Sequence, residues 1–505
     1  MPEPSSATMA RFLREVRAHP QAPAMEDEHG CLSYAELLAT AQAAAGKLTT
    51  QGVVPGSRVA VECGYGRDYL IALLAVWLLG ATAVPLDPAS PAERRLYQVR
   101  RAGCDAAVTG PEADGVVAAA VAGREPAGPA GPAEPAESAG PATPAGHDEA
   151  IAPAYILFTS GSTGQPKGVV IEHAGLAGML DCVASRMGLG RGDRTVAHSN
   201  PVFDMSMFET VFPLVFGGCL AVAPARSGRN PEIFANWLLS SSADAAIATP
   251  SQLRLLLPFL AGRTAVGKLI SGGEALTAAL AQDLQAVCGV LWNAYGPTEA
   301  SIIATCGQVT PPWQDPMPIG RVVDGLRAHV LDESLRPVPP GEPGELCLSG
   351  PGLARGYIAD PEETARAFVT GPEGMRTYRT GDIVVRRPDG QICFQGRRDD
   401  QVKVRGHRVE LGEVEAAAQR DPRVAHAAAL ICDVLRAQPE LYLAVVAAPG
   451  RELRDDGLRE HLRRLLPVHM LPSKVLYFAE LPTNPSGKID RHRVRKLVET
   501  RLASG

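Results

Sequence analysis

The chain has 505 residues, 46% of them hydrophobic, and a net charge of −6. A single core stops growing at roughly 250–300 residues, so this length predicts more than one domain. Mild acidity without a long charged block argues against a nucleic-acid partner. The ten cysteines form no C-x-x-C pair, which argues against zinc sites and disulfide frameworks. They read as reduced, mostly buried thiols of a cytoplasmic protein.

Residues 1–20 lack the apolar core of a signal peptide. Ser33 and Glu36 form a capping box that opens a helix at Tyr34, and a strand follows at residues 58–62. Residues 69–86 are nearly all apolar and just reach membrane-spanning length. Gly80 and Pro85 interrupt them, so a buried helix ending near Leu79 and then a short buried strand are expected. No membrane partner is expected. Residues 111–150 are Ala, Pro and Gly with hardly any large apolar side chain, and are predicted as a mobile surface loop.

Two strands, at 154–158 and 169–171, flank Thr159-Ser160-Gly161-Ser162-Thr163-Gly164-Gln165-Pro166-Lys167-Gly168. Three glycines, four hydroxyls and one lysine in ten residues can aim backbone N–H groups, O–H donors and an ammonium at one point. A polyphosphate tail needs that arrangement. The spacing is not that of the P-loop of ordinary NTPases, because Pro166 stands where the second glycine is required. Two further candidates, ending at Lys268 and Lys488, lack the hydroxyl that must follow the lysine.

Alternating α/β texture runs from 151 to about 310, and a Gly/Pro-rich strand region from 317 to 396 predicts a small β-barrel or antiparallel sheet. A smaller unit begins near Asp399, with helices expected at 411–420 and 458–466 and strands at 427–432 and 442–447. The expected boundary gives a large domain, 1–398, and a small one, 399–505. Four more clusters carry chemistry-bearing residue types. Asn293-Ala294-Tyr295-Gly296-Pro297-Thr298-Glu299 combines an aromatic ring, a turn and a carboxylate suited to magnesium. Asp382 offers a carboxylate for a ribose diol, Arg397 to Lys403 form a charged joint, and Lys488 sits on a tight turn near the C-terminus.

In this order these motifs, with Val84-Pro85-Leu86-Asp87-Pro88 and Phe203-Asp204-Met205-Ser206, resemble those of the adenylate-forming superfamily. Within it the chain is most similar to adenylation domains of nonribosomal peptide synthetases, over residues 32–490. The resemblance implies a large N-terminal α/β domain with a small β-barrel subdomain, hinged to a smaller C-terminal α+β domain. It implies ATP and Mg²⁺ as cofactors. Thr159, Ser160, Gly161, Ser162, Thr163, Gly164 and Lys167 would line the phosphates, with Asn293, Ala294, Tyr295, Gly296 and Thr298 around the nucleotide. Glu299 and Thr163 would hold Mg²⁺, Asp382 the ribose, and Arg397 the ribose and nearby phosphate. Lys488 would bridge the substrate carboxylate and the α-phosphate. Asp399 would be the hinge about which Lys403, Arg405 and Gly406 replace Lys488 for thioester formation.

The resemblance also makes Asp204 the partner of a substrate ammonium, which predicts an amino acid. Distances from these motifs place Met205, Phe208, Ala248, Ile270, Gly272, Ala294, Ile302 and Ile303 around its side chain. None is charged or hydroxylated, so an apolar side chain is expected, from a branched aliphatic, an aromatic or a β-amino acid. The chain ends 17 residues after Lys488. A free-standing module is expected, whose thiol acceptor is the phosphopantetheine of a carrier protein in trans, with a small helper protein left open. The rival readings are an acyl- or aryl-CoA ligase and a catalytically idle nucleotide-binding interaction protein.

Overall fold

The computed structural model describes residues 6–111, 113, 115–122, 153–161, 164–260, 262–398, 401–404, 406–432, 440–451, 455–482 and 489–503. The chain packs as two compact units. One comprises Met1–Pro88, Val99–Leu157 and Gly168–Gly396. The other takes in Arg397–Gly505 and two earlier pieces, Ala89–Gln98 and Phe158–Lys167. The architecture is mixed α/β, with a large N-terminal domain and a smaller C-terminal one.

Two sheets organise the first unit. The larger places Arg194–Ala197, Cys219–Val222, Ala245–Ala248, Val266–Gly272 and Cys288–Tyr295 side by side in parallel. These strands are short apolar runs, the pattern of a sheet covered on both faces. Beyond Cys288–Tyr295 the pairing turns antiparallel, through Thr305–Gln308, Pro318–Val322, Ile392–Arg397, Arg376–Arg386, Pro343–Ser349 and Arg327–Leu331. The antiparallel region expected at 317–396 thus continues the parallel sheet. In the smaller sheet Arg58–Glu62 is parallel to Thr82–Pro85 and Ala106–Thr109, and Tyr155–Thr159 and Lys167–Ile171 complete it with Gly356–Tyr357.

The apolar stretch at 69–86 resolves into the helix Arg67–Leu78 and the buried strand Thr82–Pro85. No described helix is long and apolar enough to cross a membrane. The capping box forms as expected, with Ser33 Oγ accepting from Glu36 N and the Glu36 carboxylate from Ser33 N. None of the ten cysteines forms a disulfide, and every one except Cys31 is buried. The loop expected at 111–150 is corrected in part, because Val116–Ala122 forms a short helix. Val117 and Val121, four apart, are buried there, which supplies the apolar contact that Ala/Pro/Gly composition alone did not suggest. The rest of that expectation, from residue 123 to 150, lies outside the described residues.

In the second unit Gln401–Val404 and His407–Glu410 form a hairpin, and Val424–Cys432, Glu440–Ala447 and Lys474–Phe478 a three-stranded sheet. The helices Leu411–Gln419 and Asp455–Leu465 pack on it through Val414, Ala418, Leu458 and Leu462. The strands and helices expected after residue 399 are thus present, displaced by at most three residues at their ends.

His173, the first residue of the helix His173–Met187, is buried edge-on against Trp77, with ring centroids 5.0 Å apart. Burial lowers its pKa to about 3. The folded chain keeps this ring neutral where the unfolded chain binds a proton, so stability should fall as pH drops through 6.5 towards 3. Urea titrations at pH 7 and pH 5 should show a smaller loss for His173→Phe than for the parent; an equal loss would mean that His173 does not contribute.

Candidate functional site

The parallel strands end at one edge, where ligands bind in open α/β sheets. Ala248, Gly272 and Ala294 come together there: Gly272 faces Ala294 in register, and Ala248 faces Ser271. Ile270 lies two residues back from Gly272 on the same strand and is fully buried. Phe208 belongs to the helix Asp204–Phe216, whose Phe208, Phe212 and Phe216 rings follow at 5.0 Å spacings. Phe208, Ile270, Ala294, Ile302 and Ile303 share one apolar cluster, and Met205 packs against it half-buried. Ala248 belongs to the neighbouring cluster.

Asp204 opens that helix with no side-chain cap before it. A carboxylate there lies at the positive end of the helix dipole. Its Oδ2 accepts a hydrogen bond from Thr298 Oγ at 2.7 Å. Thr298 starts the short turn Thr298–Ala300, and the next residue, Glu299, is fully buried. Tyr357 Oη donates to Glu299 Oε1 at 2.8 Å. The sequence-expected substrate aspartate and metal carboxylate are therefore one residue and one hydrogen bond apart.

The chain just beyond is strained. Ser301 and Ile302 have φ of +56° and +76°, a left-handed region that a β-branched side chain disfavours by about 1–3 kcal/mol. Ser301 Oγ donates to Gly352 O at 2.7 Å and holds the turn. Gly296 is required beside it, since a Cβ there would lie 2.1 Å from the Ile302 carbonyl oxygen. Asn293 is buried and donates its amide to Pro318 O at 2.7 Å, tying strands together. Tyr295 Oη donates to Asp382 Oδ2, and Asp382 is buried. Burial first, and then the Asp382 charge, raise the Tyr295 pKa well above its ordinary value, so the phenol stays a donor.

Two residues of this region were not singled out by sequence reasoning. Glu209, fully buried, accepts from His198 N and Ser199 N at 2.9 Å and from Ser199 Oγ at 2.6 Å. It fastens the end of strand Arg194–Ala197 to the helix that begins at Asp204. A lone carboxylate in the mostly apolar run from Met207 to Phe216 was the available signal. Tyr155 is the other: its hydroxyl is buried without a hydrogen-bond partner among the described residues. Burial, then the nearby Asp204 charge, push its pKa well up.

In the second unit the glycine- and hydroxyl-rich loop begins at the end of strand Tyr155–Thr159. Ser160 is buried, and among the described residues the buried Thr159 Oγ has no hydrogen-bond partner. Gly161 cannot carry a side chain, because a Cβ would stand 1.9 Å from the Gln165 carbonyl oxygen. Gly164 has φ of +80° and Lys167, half-buried, begins the next strand. Arg397 ends the strand Ile392–Arg397 half-buried; Lys403 is exposed on its hairpin, and Gly406 takes φ of +84° at the hairpin turn. Ser162, Thr163, Asp399, Arg405 and Lys488 lie outside the described residues.

The chain as a whole is similar to known proteins. Residues 12–358 match the model of the family described as AMP-binding enzyme. Novobiocin biosynthesis protein H of Streptomyces niveus is 37% identical over 497 residues, covering 96% of this chain and 82% of that protein. The nonribosomal peptide synthetase CymA of Salinispora arenicola is 38% identical over 96% of this chain, which spans only 6% of CymA. Among solved structures, holo-PA1221, a nonribosomal peptide synthetase protein with adenylation and PCP domains, superposes with a TM-score of 0.80 at 28% identity, covering 97% of this chain and 84% of that one. The family match and the fold define an ATP-dependent, adenylate-forming ligase of the amino-acid-activating class. The chain belongs to the AMP-binding enzyme family.

The crowding at Gly161 gives a direct test of the loop. Gly161→Ala should weaken ATP binding about 10-fold or more by calorimetry while leaving the far-UV circular dichroism unchanged. Unaltered affinity would remove the loop from the nucleotide site.

Proposed function

We propose that this protein activates an amino acid with an apolar side chain as its aminoacyl-adenylate, releasing pyrophosphate, and passes the acyl group to the phosphopantetheine thiol of a carrier protein. The observation that carries the reading is the Thr298 hydrogen bond to Asp204, next to the buried Glu299. An acceptor for a substrate ammonium and a carboxylate suited to a metal are thereby linked through one hydrogen bond and one residue step. Met205, Phe208, Ala248, Ile270, Gly272, Ala294, Ile302 and Ile303 offer the substrate side chain only apolar surface, so a polar group would be buried unpaired. β-Amino acids remain in the candidate set. A carrier-protein acceptor is supported by the PCP domain of holo-PA1221.

Glu299 and Thr163 are the proposed Mg²⁺ residues. Mg²⁺ commonly takes one or two carboxylates and completes its shell with phosphates and water, and among the described residues no cluster of three or more metal-ligating side chains occurs. A single buried carboxylate fits that mode of binding. The ion would neutralise charge on the departing pyrophosphate. Lys167 and the loop donors Thr159, Ser160, Ser162, Thr163 and the backbone of Gly161 and Gly164 hold the β- and γ-phosphates. Asn293, Ala294, Tyr295, Gly296 and Thr298 frame the nucleotide, Asp382 takes the ribose hydroxyls, and Arg397 the ribose and nearby phosphate. A carboxylate is a weak nucleophile repelled by a polyanion, so Lys488 is assigned to neutralise both at the point of attack.

Amino-acid-dependent ATP–pyrophosphate exchange across a panel of aliphatic, aromatic and β-amino acids tests the reading. Exchange should be strongest with an apolar amino acid. In Asp204→Ala its kcat/KM should fall on the order of 100-fold, since losing one partner of a buried charge pair costs about 3 kcal/mol or more. Exchange supported only by acids without an amino group would overturn the role of Asp204.

Asp399 is the proposed hinge, about which Lys403, Arg405 and Gly406 take the place of Lys488 for thioester formation. Asp399→Pro should therefore spare exchange and slow acyl transfer to a carrier thiol. An equal fall in both half-reactions would refute the hinge.

A further inference from the structure

Within the second unit the glycine- and hydroxyl-rich loop already holds a carboxylate. Glu413, on the first turn of the helix Leu411–Gln419, has a side chain that is 2% exposed. Its Oε1 pairs with Arg94 Nη1 at 2.5 Å, and that guanidinium is itself 10% exposed. The other oxygen, Oε2, accepts from Gly161 N at 3.2 Å. Two further contacts seat the loop: Ser160 Oγ donates to Arg408 O at 3.0 Å, and a Cβ on Gly164 would lie 2.8 Å from Ala416 Cβ. One oxygen on a guanidinium and another on the N–H of a glycine loop is the way proteins commonly grip a phosphate.

We propose that Arg94 and the Gly161 N–H form an anion subsite for a nucleotide phosphate, and that the Glu413 carboxylate fills it in this structure as an internal stand-in. The proposal rests on the reading that this loop takes the triphosphate, and adds to it a residue from outside the loop. Two neighbouring observations point the same way. Thr159 Oγ, on the same loop, is buried with no hydrogen-bond partner among the described residues, as befits a donor awaiting an acceptor. His469, stacked on His407 with centroids 3.9 Å apart, is held neutral well below its ordinary pKa by burial first, then by His407 and Arg94. Arg94 is a fixed cation beside the loop, and a phosphate must compete with Glu413 for it.

Calorimetry on the full chain with MgATP and with adenosine tests this. Glu413→Gln should bind MgATP about 10-fold tighter with adenosine affinity unchanged, because adenosine has no phosphate to compete. Arg94→Gln added to Glu413→Gln should reverse the gain and lose about another 10-fold. Glu413→Gln leaves a buried guanidinium unpaired, so folding is followed separately by thermal unfolding. There, inorganic tripolyphosphate should raise Tm more for Glu413→Gln than for the parent. Equal shifts for ATP and adenosine, an unchanged ATP affinity, or a double variant that binds as tightly as the single would overturn the subsite. If the variants respond as expected and no acid supports pyrophosphate exchange, the subsite stands and the adenylation reading falls.

Discussion

A carboxylate taken out of water must be met by donors, and this requirement organises the first unit. Glu209, Glu299 and Asp382 are all buried, and Asp204 is half-buried at a helix start. Each receives a hydroxyl hydrogen bond, from Ser199, Tyr357, Tyr295 and Thr298 respectively. A hydroxyl donor satisfies an acceptor without cancelling its charge. An ammonium at Asp204 and a metal at Glu299 are the two cations that the proposed reaction would bring.

The same requirement is met beside the strained turn. Thr298 has to face Asp204 while Glu299, one residue on, turns towards Tyr357. Close by, Ser301 and Ile302 adopt left-handed backbone next to a glycine that makes room for them. Strain of about 1–3 kcal/mol per residue persists only where surrounding bonds fix it, and the Ser301 bond to Gly352 is one of these.

Much of this was legible in the sequence because its signals are local. The capping box at Ser33, the strand at 58–62, the break at Gly80 and the elements after residue 399 follow from spacing over a few residues. The motifs that mark the site are contiguous, and so they were read in order. What the sequence did not disclose joins residues far apart in the chain. Thr298 and Asp204 are 94 positions apart, Glu299 and Tyr357 58, and Gly161 and Glu413 252. No periodicity encodes such pairs. The parallel sheet's continuation into the antiparallel strands escaped for the same reason, since pairing partners are not written in either strand.

The ring ladder Phe208–Phe212–Phe216 joins two properties usually treated separately. Tyr34 Oη donates to Gly218 O at 2.9 Å with the Pro213 and Leu214 carbonyls within 3.3 Å, so the far end of this helix is anchored in the core while its first turn presents Asp204. Phe208 is thus a wall of the proposed substrate pocket and the first ring of the stack that roots the helix. Enlarging the pocket at Phe208 removes that ring, at a cost of about 3–5 kcal/mol for truncation to alanine. A broader choice of acid at that position is therefore coupled to a less stable protein, whereas Met205, half-buried at the edge of the cluster, offers a change in shape that leaves the ladder whole.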